Sequence, residues 1–274
     1  MNMTGILEIV GLSDVGQRRE PNEDAIASDI DLGLVVLADG MGGYKAGEVA
    51  SEIATQTIVA ELKKRMQSLE PGLVDAVSGM QAVSQLLLDA VTRANQSIYR
   101  VSQSQAQCAG MGTTLVVGLF TNNKLLAGHI GDSRLYRLRQ AEFVQMTEDH
   151  SLLQGQLNSG LITPEQAKHS NNKNLLTRAL GIDPEVELEL HQHEVLPHDI
   201  YLLCSDGLND LVPDDEIGAT IANLSANLEL AANQLIQMAN DNGGKDNISV
   251  ILVKVLKPFP VERAWYNNFF HWLK

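Results

Sequence analysis

VVLADG at residues 35–40 and YLLCSDG at residues 201–207 share one construction: an apolar run that ends in Asp-Gly. A continuous apolar run of this length reads as a strand buried on both faces. Each run therefore delivers a carboxylate, Asp39 or Asp206, to the edge of a buried sheet. The adjoining glycine, Gly40 or Gly207, permits a tight turn and leaves room for a metal ion or phosphate beside the backbone. A single Asp-Gly is an ordinary strand terminator, and its recurrence after two fully apolar runs is what stands out. A third carboxylate, Asp246, precedes the apolar strand ISVILVKV at 248–255.

Further strands are expected at 6–12, 112–120, 124–130, 133–138, 142–146, 185–192 and 199–204. Brief turns such as Thr121-Asn122-Asn123 imply antiparallel pairing. Helical spacing runs from Glu48 to about Arg65, and through Val83, Leu86, Leu87, Ala90, Val91, Ala94 and Ile98. Another helix places Leu228, Ala231, Ala232, Leu235, Met238 and Ala239 on one face. Residues 147–174 are polar and carry a helix-start signal at Thr163-Pro164-Glu165-Gln166, which suggests a helical insertion or surface flap. With no internal repeat or linker, these elements make one layered α+β unit.

Composition narrows the function classes. The 274 residues are 44% hydrophobic and 20% charged, as in ordinary globular proteins. A net charge of -14 disfavours nucleic acid as a partner and supplies the oxygen-rich groups that hard divalent cations prefer. The two cysteines, Cys108 and Cys204, form no disulfide or zinc pattern. No apolar run approaches the ~20 residues of a transmembrane helix, so the expected compartment is the cytoplasm.

Near the N-terminus, REPNED at 19–24 sets a guanidinium close to two carboxylates, on a segment that Pro21 keeps out of regular helix. Arginine can hold a phosphate in a bidentate fork while carboxylates hold metal. Alone, such a hexapeptide is more often a solvated loop. The ordered set REPNED (19–24), DGMGG (39–43), GTT (112–114), GDSR (131–134), SDGL (205–208) and KDN (245–247) resembles the metal-dependent serine/threonine protein phosphatases of type 2C, in their prokaryotic form.

That resemblance implies a four-layer αββα sandwich, two antiparallel sheets flanked by helices, with a binuclear Mn²⁺ or Mg²⁺ centre at one end. Asp39 would bridge the two ions, Asp206 and Asp246 would complete one shell, and Glu23 with the Gly40 carbonyl would serve the other. Asp132 matches a carboxylate at a third, weaker site. Two ions sharing a water lower its pKa for in-line attack on phosphorus, and Arg19 matches the phosphate-binding position. The implied substrates are phosphoserine and phosphothreonine proteins, the targets of a Ser/Thr kinase. Met41 stands where some members carry a histidine proposed as general acid, so no general acid is assigned. The alternatives are a pseudophosphatase, against which the intact ligand set argues, and a hydrolase of small phosphate esters.

His191 and His193 alternate on a strand face and read as exposed residues, and His150 and His169 read as surface residues of the flap. Cys204 reads as packing. Residues 1–257 form the expected catalytic domain. The segment 258–274 holds six of the twelve aromatic residues and reads as a tail that docks on its own domain, with a partner protein or membrane surface as the alternative.

Overall fold

The computed structural model describes residues 3–43, 46–66, 76–168 and 175–259, with side chains at 76–81 not described. His169 and the tail from residue 260 lie outside these residues. In chain order the elements are β1 (Leu7–Asp14), β2 (Asp24–Asp29), β3 (Leu34–Met41), α1 (Ala46–Met66), α2 (Ala76–Ser104), β4 (Gly112–Thr113), β5 (Leu115–Thr121), β6 (Lys124–Ile130), β7 (Arg134–Arg139), β8 (Glu142–Gln145), α3 (Leu152–Asn158), α4 (Pro164–Lys168), β9 (Glu189–Glu194), β10 (Ile200–Cys204), α5 (Asp206–Asn209), α6 (Asp214–Asn223), α7 (Leu228–Asp241) and β11 (Ile248–Val255).

The strands form two antiparallel sheets. One runs β1-β11-β10-β7-β8 and the other β2-β3-β5-β6-β9, with β4 attached to β3. Strands β3, β10 and β11 are apolar because both their faces are covered. Val35, Leu37, Val116, Leu203, Ile251 and Val253 interlock between the sheets. On one outer face, Ala50, Ala54, Ile58, Leu87 and Ala94 of α1 and α2 cover Val36 and Val117. On the other, Ile217, Ala232 and Leu235 of α6 and α7 cover Leu202 and Val250. The result is the expected four-layer αββα sandwich.

Several boundaries differ from expectation. β3 does not stop at Asp39: it continues to Met41, because β4 pairs Gly40 with Thr113 and Met41 with Gly112. β2 was absent from the sequence reading, since alanine and serine give it weak strand propensity, yet it pairs residue by residue with β3. α6 was also missed despite its signals, an N-cap Pro213 followed by Asp214, Asp215 and Glu216. β9 lies later than the expected 185–192, with Leu188 already packed into the helix-side core. Phe259, at the start of the aromatic segment, is buried between the sheets, and its N–H donates to Asn123 Oδ1 at 2.6 Å. Among the described residues no helix is long and apolar enough to cross a membrane.

One buried amide ties α2 to the loop that leads toward β9. Asn95 Oδ1 accepts the Gly181 N–H at 2.7 Å, while its Nδ2 donates to the Asp183 and Pro184 carbonyls. Asn95→Ala strands these groups in a site that is 1% exposed. The expected loss is about 1–3 kcal/mol of unfolding free energy, read from urea denaturation.

Candidate active site

The Asp-Gly segments meet at one end of the sandwich. Asp39, near the end of β3, is half-buried, and its carboxyl is held well above the usual range. Burial is the main cause, followed by the charges of Asp24, Asp206, Asp132 and Asp246. Asp206, in the first turn of α5, is raised in the same way, by burial and then by Asp132, Asp246 and Asp210. Asp132 follows Gly131 in the β6–β7 turn, and burial pushes it to about 6. Asp246 lies just before β11, and Arg19 reaches it with Nη2 to Oδ2 at 2.7 Å. Five carboxylates thus converge, each half-buried, at one end of the sandwich.

Asp24, which the sequence reading did not assign, belongs to this group. It is the Cα partner of Asp39 across β2 and β3 and shares a hydrogen bond with it. Burial raises it to about 6. Ser205 Oγ donates to its Oδ2 at 2.8 Å, while its buried Oδ1 has no hydrogen-bond partner among the described residues. Two carboxyls can share a hydrogen bond only around a proton, or else face a cation that stands in for it. The signal in the sequence was the register: an aspartate after Glu23 opens a strand opposite Asp39.

Glu23 sits against the first turn of α1, where its carboxylate accepts the Gly47 N–H, and burial raises its pKa. Gly40 is wedged between these parts. Its N–H donates to the Glu23 carbonyl at 3.0 Å, and an added Cβ would fall on the Gly47 carbonyl and within 2.5 Å of the Glu23 carbonyl. Only glycine fits there. Gly207 is equally constrained, since its Cβ would fall on the Asn247 carbonyl.

The remaining motif residues hold this cluster in place. Thr114 donates its N–H to the Asp39 carbonyl at 2.8 Å, accepts the Asp39 N–H on Oγ1 at 3.0 Å, and shares a 2.7 Å hydroxyl contact with Ser133. Arg134 of β7 forks onto Asp149 at 2.7–3.2 Å, so this arginine anchors the root of the flap and is not free for substrate. By contrast the Arg19 side chain is 48% exposed. A cavity of about 360 Å³ adjoins the cluster, between Asp132 and Asp206 on one side and Leu153, Leu157 and Ala167 of the flap helices on the other.

The flap helix signal at Thr163 is correct: Thr163 and Gln166 exchange backbone and side-chain hydrogen bonds as a capping box. His150 is a correction. It is buried, not a surface residue, because the β6–β7 turn and β9 enclose it. Its ring stacks on His129 at 4.5 Å, and with Glu189 the pair places three ligand-type atoms within 4.8 Å of one another. Position 129 was not singled out in the sequence. His191 is exposed and bonds Glu189, while His193 is half-buried. Cys204 is buried in β10, and burial pushes its thiol up, which fits a packing role.

Half-buried carboxylates raised by desolvation and mutual repulsion, an orphaned carboxylate oxygen and an exposed guanidinium beside them fit hard divalent cations. The fold and site define a metal-dependent phosphoric monoester hydrolase. Residues 15–239 match the family model for protein phosphatase 2C. The serine/threonine phosphatase stp of Listeria monocytogenes is 35% identical over 88% of this chain and 93% of its own length. The crystal structure of the Mycobacterium tuberculosis serine/threonine phosphatase PstP is 38% identical and superimposes with a TM-score of 0.79, covering 91% of this chain and 99% of that one. Stp1 from Staphylococcus aureus gives 35% identity and a TM-score of 0.80, over 93% and 97% of the two chains. A further structure holds the PstP catalytic domain in complex with two manganese ions. The chain belongs to the protein phosphatase 2C family of metal-dependent phosphatases.

Asn247 generates a test of the scaffold. Its Oδ1 accepts the Glu23 N–H at 2.8 Å, and its Nδ2 donates to the Val15 and Pro21 carbonyls at 2.9 and 3.0 Å. It therefore closes the loop that carries Arg19 and Glu23 onto Asp246. Asn247→Ala should weaken Mn²⁺ binding about 10- to 100-fold in calorimetry, as loss of an outer-shell partner does.

Proposed function

We propose that this protein hydrolyses phosphoserine and phosphothreonine monoesters on proteins phosphorylated by a Ser/Thr kinase in the cytoplasm, with two Mn²⁺ or Mg²⁺ ions at the carboxylate cluster. The observation that carries this reading is the convergence of Asp39, Asp206 and Asp246 with Glu23 and the half-exposed Arg19. Asp39 would serve both ions, Asp206 and Asp246 would hold one of them, and Glu23 with the Gly40 carbonyl would hold the other. Asp132 would serve a third, weaker site. When bound, such ions supply a water of lowered pKa and neutralise charge on a phosphoryl oxygen.

The chain's own residues do the rest. Arg19 orients the phosphate through its fork and offsets charge on the equatorial oxygens, and its ion pair with Asp246 keeps it aimed at the cluster. Partial burial of Asp39 and Asp206 lowers the local dielectric and strengthens the electrostatic contacts there. Met41 has no proton to give, so no side chain is assigned as general acid. The cavity beneath the flap has room for residues flanking the phosphorylated one, which favours a peptide over a small ester.

The deciding assay is turnover of an aryl phosphate with Mn²⁺ and with a chelator, followed by phosphopeptide and metabolite panels. Metal-independent turnover would overturn the reading, and turnover restricted to metabolites would overturn the protein substrate. Asp39→Asn should lower kcat by more than about a hundredfold even with saturating Mn²⁺. Arg19→Ala removes a charge-assisted bond of about 1.5–3 kcal/mol, so kcat/KM should fall about 10- to 150-fold while calorimetry shows metal binding intact.

The raised carboxyls also fix a pH dependence. Their folded pKa exceeds the unfolded value, so protonation stabilises the fold. That contribution is complete below about pH 4 and is lost as pH rises through about 6, the value for Asp24 and Asp132. Cations replace the protons above that point. Mn²⁺ should therefore raise the melting temperature clearly at pH 7.5 and far less at pH 5.5, a difference read by thermal shift.

A further inference from the structure

His129, His150 and Glu189 lie together outside the carboxylate cluster, and their hydrogen bonds assign each ring nitrogen. His129 Nε2 points at the Glu148 carbonyl at 2.8 Å, so it carries a proton. His150 Nδ1 accepts the Gly131 N–H at 3.2 Å, which leaves the proton on Nε2, where Glu189 Oε2 takes it at 3.1 Å. The two rings stack with their planes 20° apart. Nearly parallel imidazoles aim their lone pairs side by side, and neither can point at an ion lying in the plane of the other. The trio is built as a hydrogen-bond relay rather than as a shared metal shell.

What the relay holds is the turn that carries Asp132. His150 grips Gly131 twice: its Nδ1 accepts the Gly131 N–H, and its own N–H donates to the Gly131 carbonyl at 2.9 Å. Gly131 has φ +101, and an added Cβ would lie 2.8 Å from Thr114, so Gly131 has no side chain with which to fix its end of the turn, whose other end Ser133 ties to Thr114. The His150 carbonyl accepts the Thr177 N–H at 2.8 Å, and the Leu152 N–H donates to the Leu175 carbonyl at 2.8 Å, so both strands of the flap root close on His150. Glu189 anchors the outer end of the ring. Burial raises its carboxyl, but the bonds from His191 and His150 outweigh that and bring it to about 2.

We infer that His150 is a positioning residue that sets Asp132 and couples it to the root of the flap, with Glu189 as its anchor. This rests on the assignment of Asp132 to the weaker metal site. His150→Ala should lower kcat on aryl phosphate about tenfold with KM unchanged. It should weaken the third Mn²⁺ site in calorimetry while leaving the two tight sites, and speed hydrogen exchange at the Gly131 amide. His150→Asn, whose Oδ1 can accept the Gly131 N–H, should restore most of the rate, as should Glu189→Gln in place of Glu189→Ala. His150→Ala combined with Asp132→Ala should cost no more than Asp132→Ala alone.

Unchanged third-site affinity and unchanged Gly131 exchange in His150→Ala would overturn the inference, as would fully additive losses in the double variant. One equivalent of Zn²⁺ bound by wild type and lost on His129→Ala would overturn it in favour of a ligand role. If His150→Ala does not fold, His150→Asn decides, because a metal-ligand role predicts loss where the clamp predicts retention. Should Asp132→Ala prove silent in calorimetry, the third-site assignment fails. Gly131 exchange then still reports on the clamp by itself.

Discussion

The structure is organised around an electrostatic liability: carboxylates brought out of water within reach of one another. Like charges ~4 Å apart at an effective dielectric constant of ~20 repel by about 4 kcal/mol per pair, and here Asp24, Asp39, Asp132, Asp206 and Asp246 act on one another. No arrangement of the apolar layers relieves that repulsion. Protons or cations must, and a protein working near neutral pH has few protons to offer. The sandwich supplies the stiffness that keeps the charges together, and the charges make the folded state responsive to divalent ions.

That stiffness comes from side-chain hydrogen bonds that cross between motifs distant in sequence. Thr114 fixes Asp39 from 75 residues away, Asn247 fixes Glu23 from 224 away, and Ser205 fixes Asp24 from 181 away. Each of these partners neighbours a further carboxylate or its turn: Asn247 follows Asp246, Ser205 precedes Asp206, and Thr114 touches Ser133 beside Asp132. A displacement of any one carboxylate therefore strains the supports of another. Positional precision within a few tenths of an ångström is what a metal-assisted displacement requires of its supporting residues.

Much of this was legible in the sequence, for stated reasons. The apolar runs before Asp39 and Asp206 showed that both carboxylates stand at the edge of a buried sheet, and the ordered motifs supplied the pairing that strands alone leave open. What escaped notice depended on tertiary partners. Asp24 looks like one acid among several in REPNED until β2 is set in register against β3. His150 looks like a flap residue until the β6–β7 turn folds over it, and β3 extends past Asp39 only because β4, a two-residue strand with no pattern of its own, is there to pair with it. Local pattern reports burial well, but it does not report which polar group will meet which.

Exposure across the site follows the division of labour. Groups that would hold ions are half-buried, where partial desolvation sharpens their preference for multivalent charge. Arg19, the group that would meet substrate, keeps about half of its side chain in solvent. A phosphate approaching this end of a chain with net charge -14 meets one guanidinium against several carboxylates, and a field of that sign repels it. Only when cations have reversed the local sign does Arg19 act with the site rather than against it. With the roles proposed for these residues, affinity for phosphate and affinity for divalent ions would be one linked quantity, set by the same carboxylates.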